Sequence, residues 1–366
     1  MTHRPISRRD AIRAGAGLTA VALGPACGAA ADALTPEQQA GQRVIFSYSG
    51  PDVPQSLLDQ VRAGTAAGVI FFADNVTGLD QIASVIRRLE AARRAGPVPA
   101  PLLLMTDQEG GRIRRLPGGP LMSQKEIGAA SDPLAAASRA GETAGRLLAG
   151  VGMNVNLAPV LDVHRTEGDF ADRLGRSYST DPAVCSRLGA AFVTAQQRAG
   201  VAATVKHFPG LGTAGAGQNT DLRPVTLDVS RAVLQRVDEP PYAPAIAAGV
   251  KLVMPSWAVY PALDPARPAG LSPVVLRELR ERFGFRGVTV SDAINAGALT
   301  AFGTYAQRAV AAARAGIDLI LVCSQRVADG QAVVAGLAGA LRNGRLDRHG
   351  FDAAGARVTA LRRGLG

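Results

Sequence analysis

The chain contains few of the residues that most often bind metals or stack on ligands. Its 366 residues include 3 cysteines, 4 histidines and 1 tryptophan, and aromatic residues make up 4% of the total. Neither the cysteines nor the histidines show metal-ligand spacing, so we expect no metal and no other cofactor. Cys185 and Cys323 could pair in an oxidising compartment, but we expect both to be buried free thiols.

Long hydrophobic runs are also missing. The weakly apolar stretch Ala14–Ala26 follows a twin-arginine pattern at Ser7–Arg13 and precedes the small residues Gly28–Ala31. A membrane-spanning helix needs about 20 apolar residues, so this stretch is too short and too weak for one. The order of its parts is typical of a cleaved export signal, although a disordered basic tail would also contain an arginine pair. We expect residues 1–32 to be a twin-arginine export signal and residues 33–366 to form one catalytic domain, exported to the cell envelope or beyond.

Cys27 leaves a second kind of export open. It lies where a lipoprotein signal carries its acylated cysteine, but Gly24 stands three residues earlier, where such signals usually carry leucine. Membrane anchoring by a lipid at Cys27 is therefore an alternative to full release.

Negative charge is in the minority. The chain carries 40 Lys and Arg against 30 Asp and Glu, a net charge of +10, and nearly all the positive charge is arginine. The arginines are scattered along helix-like segments without a long basic run, which is typical of solvated helix faces. We expect no nucleic-acid partner, and we expect a monomer.

Eight short apolar runs alternate with helix-like segments. The runs span Arg43–Tyr48, Gly68–Phe72, Leu102–Thr106, Met153–Pro159, Val201–Lys206, Lys251–Pro255, Gly287–Ser291 and Ile317–Val322. The helix-like segments span Leu79–Ala95, Pro133–Gly150, Pro182–Ala199, Ser230–Ala248, Pro273–Phe283, Thr304–Ala315, Gly330–Leu341 and Arg357–Gly364. This alternation predicts a single-domain (β/α)₈ TIM-type barrel. An open doubly wound sheet is the alternative, and the lack of a dinucleotide glycine fingerprint argues against it.

Polar residues follow the predicted strands, where a barrel places its active site. In chain order they are Asp107, Asp162, Lys206, His207, Trp257 and Asp292. Carboxylates, cations and one indole around an apolar mouth suit a neutral ligand rich in hydroxyl groups. Taken singly, each has a structural explanation: Asp292 could cap a helix, Lys206 and His207 could be a buried pair, and Trp257 could belong to the core.

Six segments carry a resemblance to a known family. They are Thr106–Arg112, Leu157–Val163, Arg176–Tyr178 with Asp181–Pro182, Lys206–Gly210, Tyr260–Pro265 and Ser291–Asp292. In this order they resemble the family 3 glycoside hydrolases, in particular the single-domain β-N-acetylglucosaminidase branch. The resemblance implies a (β/α)₈ barrel and retaining hydrolysis of terminal β-linked sugars such as cell-wall peptidoglycan fragments. It also implies that Asp292 is the nucleophile and that Asp107, Arg176, Lys206 and His207 hold the sugar, and we add Trp257 as a sugar platform.

One part of the family pattern is absent. In the family, the loop after the fifth strand usually reads Gly-His-Gly and then carries an Asp-x-His pair, whose histidine acts as general acid/base. Here Leu211 replaces the histidine of Gly-His-Gly, and the Asp-x-His pair aligns with Gln218–Asp221, which contains no histidine. Three hypotheses follow. Asp221 is the acid/base, His164 or an acidic residue of Glu167–Asp172 replaces it, or the protein binds sugar with little or no cleavage.

Overall fold

Eight parallel strands close into a barrel in the computed structural model, which describes residues 34–365. The strands are β1 (Val44–Phe46), β2 (Gly68–Ile70), β3 (Leu103–Thr106), β4 (Val155–Asn156), β5 (Ala202–Phe208), β6 (Leu252–Pro255), β7 (Val288–Ala293) and β8 (Leu319–Leu321). Each strand pairs with the next along the chain, and β8 pairs with β1. The predicted (β/α)₈ barrel is confirmed. The predicted export segment and Cys27 lie outside the described residues.

Helices surround the barrel. They are α1 (Pro36–Gly41), α2 (Gln55–Arg62), α3 (Leu79–Arg94), α4 (Gln124–Gly128), α5 (Pro133–Val151), α6 (Phe170–Arg173), α7 (Pro182–Arg198), α8 (Arg231–Val233), α9 (Tyr242–Ala247), α10 (Pro273–Glu281), α11 (Tyr305–Ala315), α12 (Val327–Arg342) and α13 (Arg348–Arg363). None of those found between residues 34 and 365 is both long and apolar enough to cross a bilayer.

The strands are buried on both faces, as their near-continuous apolar sequences predict. Ile45, Met105 and Leu321 belong to the cluster inside the barrel, whereas Phe46 and Leu104 pack against the surrounding helices. Bulky aliphatic side chains therefore fill the barrel interior up to the level at which the strands end.

Helix starts follow the capping chemistry of the sequence. Asp181 accepts a hydrogen bond from the backbone N–H of Ala183 at 2.8 Å, and Pro182 occupies the first turn of α7, where its missing N–H costs nothing. The predicted helix over 230–248 is wrong in its middle. It is interrupted into α8, a π-helical turn over Leu234–Asp238, and α9, because Pro240 and Pro241 lack the N–H groups that a continuous helix needs.

Candidate active site

One cavity at the carboxyl ends of the strands collects most of the predicted site residues. Its volume is about 360 Å³, and its walls include Asp107, Arg176, Lys206, His207, Asp221 and Asp292. A larger groove of about 890 Å³ lies between α5 and α7 on the outside of the barrel and contains none of these residues. The barrel mouth is therefore the candidate site, in keeping with the general rule for this fold.

The end of β5 presents two successive side chains to the cavity. Lys206 pairs with Met254 of β6, but Phe208 pairs with Pro255, so the strand contains one extra residue, His207. The Lys206–His207 peptide bond is cis. A bulge re-aims side chains that would otherwise alternate between two faces, and both Lys206 and His207 line the cavity.

Lys206 joins a buried network of charges with two carboxylates. Its Nζ lies 2.7 Å from Asp107 Oδ1 and 2.7 Å from Glu109 Oε1. Glu109 also accepts two hydrogen bonds of 2.8 Å from the guanidinium of Arg176. Burial would raise the pKa of Glu109, but the attraction of Arg176 and Lys206 outweighs it and holds the pKa well below its ordinary value.

The same balance keeps the two cations charged. Burial acts to lower the pKa values of Lys206 and Arg176, whereas Asp107 and Glu109 raise them, and the net direction is upward for both. Both side chains therefore enter the cavity as rigid, permanently charged donors.

His207 is oriented by a carboxylate behind it. Its Nδ1 lies 2.8 Å from Asp162 Oδ2, and Asp162 Oδ1 accepts backbone N–H bonds from His207 and Leu211 at 3.1 and 2.7 Å. Burial opposes ionisation of Asp162, but His207 and these N–H donors lower its pKa below the ordinary value. The Nε2 edge of His207 is the one left for a ligand.

The sequence places Asp162 after a predicted strand without giving it a specific role, and it indicates no binding or catalytic role for Glu109 or Arg115. Arg115 lines the cavity, with its Nη2 3.7 Å from Asp107 Oδ2. It reaches this place by the hairpin Gln108–Gly110 and Ile113–Arg114, whose turn uses Gly110 and Gly111 at φ values of 117° and 55°. The two glycines are the signal that would have shown the chain folding back over the barrel mouth.

Asp292 lies at the irregular end of β7. Val290 pairs with Leu319 of β8 and Ala293 pairs with Leu321, so β7 has one residue more than its neighbour. The Oδ1 of Asp292 accepts a hydrogen bond from the N–H of Ala293 at 2.7 Å, and the side chain lines the cavity. The helix-cap explanation is wrong, because the next helical turn begins only at Gly297.

The prediction that Trp257 contacts the sugar is wrong. The side chain is 1% exposed and does not line the cavity. Its Nε1 donates a hydrogen bond to the carbonyl oxygen of Ala293 at 3.0 Å, which ties it to the segment beside Asp292. Trp257 is therefore a core residue that supports the end of β7.

Asp221 reaches the same cavity from the loop after β5. The loop is held against the segment after β7 by two backbone bonds, Gly297 N–H to the carbonyl of Asp221 at 2.7 Å and Ala298 N–H to that of Thr220 at 3.0 Å. Asp221 is exposed at the cavity mouth and forms part of the cavity wall. Partial burial of its carboxyl group, together with the like charge of Asp292, raises the pKa of Asp221.

The other acid/base candidates lie elsewhere. The Nδ1 of His164 is 3.0 Å from Ser177 Oγ, and its Nε2 is 3.5 Å from Asp172 Oδ1. Neither His164 nor Asp172 lines the cavity. Asp172 also binds Lys125, while Asp169 accepts N–H bonds within its own loop. From the segment Glu167–Asp172, only the ring of Phe170 reaches the cavity wall.

Cys185 and Cys323 are both free thiols. Cys185 is buried between helices, and burial raises its pKa to about 12. Cys323 lines the cavity only partly buried, which corrects the prediction that both are buried. Within residues 34–365, no group of His, Cys, Asp and Glu side chains is arranged to hold a metal ion.

Comparison with known proteins places this barrel in a family. The model of the glycosyl hydrolase family 3 N terminal domain matches residues 47–361. An uncharacterized secreted glycosyl hydrolase of Arthroderma benhamiae is 44% identical over 326 residues, covering 88% of this chain and 92% of the relative. A beta-hexosaminidase of Stenotrophomonas maltophilia is 35% identical over 78% of this chain and 84% of its own.

Solved structures give the same result. A family 3 beta-N-acetylglucosaminidase from Paenibacillus superposes with a TM-score of 0.85 at 34% identity over 91% of this chain, which spans 63% of that longer protein. A beta-N-acetylhexosaminidase from Beutenbergia cavernae gives 0.80 at 31% identity, covering 90% of this chain and 99% of its own. The chain thus belongs to glycosyl hydrolase family 3 and is a glycoside hydrolase of the β-N-acetylhexosaminidase-like kind.

Proposed function

We propose that this protein is a retaining β-glycosidase that removes terminal β-linked N-acetylhexosamine, with Asp292 as nucleophile and Asp221 as general acid/base. One observation carries the proposal. Two carboxyl groups enter the same cavity, and burial together with the charge of Asp292 raises the pKa of Asp221. A retaining glycosidase needs this division between a charged nucleophile and a protonated acid.

The first step forms a covalent intermediate. A carboxylate oxygen of Asp292 attacks the anomeric carbon and forms an ester bond while the bond from that carbon to the leaving oxygen breaks. The carboxyl of Asp221 gives its proton to the leaving oxygen. In the second step Asp221, now a carboxylate, takes a proton from water, the water oxygen bonds to the anomeric carbon, and Asp292 is released.

The remaining polar groups would hold the sugar in place. Lys206, Arg176 and the free edge of His207 are donors, and Asp107 is an acceptor, for hydroxyl groups of one sugar ring. Their rigidity supports this role, because Glu109 and Asp162 fix three of these side chains from behind. The cavity of about 360 Å³ is large enough for a monosaccharide with part of its leaving group.

The preference for an N-acetyl sugar comes from the relatives. Curated relatives are named beta-hexosaminidases, and solved neighbours are named beta-N-acetylglucosaminidase and beta-N-acetylhexosaminidase. The relative from Arthroderma benhamiae is named as secreted. Together with the twin-arginine pattern, this supports export through residues 1–32 and a substrate among cell-wall fragments such as those of peptidoglycan.

A panel of aryl glycosides tests the function. We expect the 4-nitrophenyl β-N-acetylglucosaminide to be cleaved much faster than the β-glucoside and the β-xyloside, with the β-anomer of the free sugar formed first. Faster cleavage of another glycoside would mean that the enzyme prefers that sugar over N-acetylglucosamine. Initial release of the α-anomer would refute retention. If no glycoside is cleaved while calorimetry detects sugar binding, the protein is a carbohydrate-binding relative.

A further inference from the structure

A second polar pocket lies at the opposite end of the barrel from the active site. Its volume is about 570 Å³, and its charged lining consists of four arginines and two aspartates. These are Arg43, Arg314, Arg345, Arg357, Asp318 and Asp347. Arg43 directly precedes β1 and Asp318 directly precedes β8, so the pocket lies at the amino ends of the strands, far from Asp292.

Neither aspartate is available to neutralise the whole lining. Asp318 is fully buried and accepts bonds of 2.6 and 2.7 Å from Arg280 and Arg357, as well as one of 2.9 Å from the N–H of Thr289. Asp347 caps α13 by accepting a hydrogen bond of 2.6 Å from the N–H of Gly350. The positive charge of the pocket thus exceeds the negative charge.

Arg43 is the buried part of this excess positive charge. It is 2% exposed and lines the pocket, yet it forms no ion pair within residues 34–365. Its guanidinium donates to the carbonyl oxygens of Asp318 and Ile317 at 2.9 and 2.6 Å and lies 4.4 Å from the ring centre of Phe351. Burial lowers the pKa of Arg43 to about 10, because the nearby charge of Asp318, which is already bound by two other arginines, offsets only part of the water that the buried cation has lost.

The rest of the lining suits an anion with several oxygens. Arg314 and Arg345 are exposed at the rim and take part in no salt bridge in the described part of the chain. A guanidinium group can donate two parallel hydrogen bonds to two oxygens of one phosphate, whereas a lysine ammonium group acts only as a point charge.

We propose that this pocket binds the phosphate group of a small phosphorylated molecule. The cavity is larger than a bare phosphate ion needs and falls within the range of about 300–1,000 Å³ usual for small-molecule sites. The phosphate lies between Arg43 at the floor and Arg314 and Arg345 at the rim, and its organic part fills the remaining volume. The inference does not depend on the glycosidase function, since no residue of this pocket lines the active site.

Calorimetric titration tests the proposal with two probes, inorganic phosphate and glucose 6-phosphate, at constant ionic strength set with sodium chloride. We expect saturable binding of glucose 6-phosphate that is tighter than that of inorganic phosphate. The double variant Arg314→Ala, Arg345→Ala should bind it at least tenfold more weakly, since both cations that it loses line the pocket rim. Neither residue holds Asp318, so the variant should keep its fold and its aryl glycosidase activity.

Arg348→Ala is the matched control, because this exposed arginine lies in the first turn of α13, pairs with Asp352 and does not line the pocket. We expect its affinity for glucose 6-phosphate to stay within twofold of the wild type. The proposal is overturned if neither probe binds saturably, if inorganic phosphate binds as tightly as the sugar phosphate, or if the control weakens binding as much as the double variant.

Discussion

Asp221 is the residue that we propose in place of the acid/base histidine expected from the family pattern. We predict that Asp221→Ala slows hydrolysis of substrates with poor leaving groups by about 10²–10⁴-fold, because these need a proton from the acid. Dinitrophenyl glycosides, whose leaving group needs no proton, should lose much less rate in the first step. Steady-state kinetics on both substrates measures the difference, and added azide should restore turnover as the glycosyl azide.

Two outcomes would contradict an acid/base role for Asp221. One is an equal loss of rate on both substrate types, and the other is the absence of azide rescue. His164→Ala is the control at the residue scale, because His164 lies outside the cavity and its loss should leave the ratio between the two substrates unchanged.

The pH profile follows from the same carboxyl. The pKa of Asp221 is raised by burial and by Asp292, and the first step needs the protonated form. Activity on substrates with poor leaving groups should therefore persist above the ordinary carboxyl range and fall as pH rises through the raised pKa. In Asp221→Asn this basic limb of kcat/KM should vanish, and an unchanged limb would assign it to another group.

At the level of single residues, the sequence predicted positions better than roles. Lys206, His207 and Asp292 could be placed because strand ends are visible as apolar runs that stop at polar residues. Trp257 could not, because its direction depends on how the segment after β6 folds back onto Ala293. Glu109 and Asp162 act through partners far along the chain, Arg176 and His207, and local pattern does not contain that information.

The loop after β5 is the element that brings acid and nucleophile together. It touches the segment after β7 at Gly297, where a side chain would collide with the backbone of Leu222. We predict that Gly297→Ala lowers kcat by about 10²-fold, since small displacements of catalytic groups are that costly. The midpoint temperature of thermal unfolding should change little, because the collision displaces a surface loop and leaves the barrel intact.

Gly217→Ala is the matched control within the same loop. An added side chain at this position meets nothing within 4 Å, so kcat should stay near the wild-type value. Comparable losses of kcat in both variants would mean that the loop responds to any substitution, and the contact at Gly297 would have no special part in catalysis.

Helices and strands could be predicted where the pattern of buried apolar residues agrees with local signals such as helix caps. Asp181 with Pro182 fixed the start of α7, and the eight strands all fall inside their predicted runs or within two residues of them. The helix α2 was missed because it spans only eight residues, although its buried residues Leu57, Leu58 and Val61 do have helical spacing. The break between α8 and α9 shows that a proline pair outweighs the helical spacing of its neighbours.

On the scale of the whole molecule, closure of the barrel depends on β1. This strand joins β2 to β8, and Leu34 begins the described chain shortly before it. We predict that a chain beginning at Leu34 unfolds within a few degrees of the full chain and keeps its aryl glycosidase activity. This would support residues 1–32 as a signal outside the catalytic domain.

A chain beginning at Ser49 is the contrasting truncation. It lacks β1, so β2 and β8 would each expose an unpaired edge, and we expect no cooperative unfolding and no activity. Full activity of this shorter chain would contradict the closed barrel, and loss of activity in the chain from Leu34 would contradict the proposed domain boundary.

The central claim is that a carboxylate of Asp292 bonds to the anomeric carbon, and Asp292→Asn tests it most directly. With a dinitrophenyl β-N-acetylglucosaminide we predict that turnover falls by at least about 10³-fold, because loss of a nucleophile removes the covalent route. Asp52→Asn, an exposed carboxylate outside the cavity, should keep wild-type turnover. A folded Asp292→Asn protein that turns over within tenfold of the wild type would contradict the account.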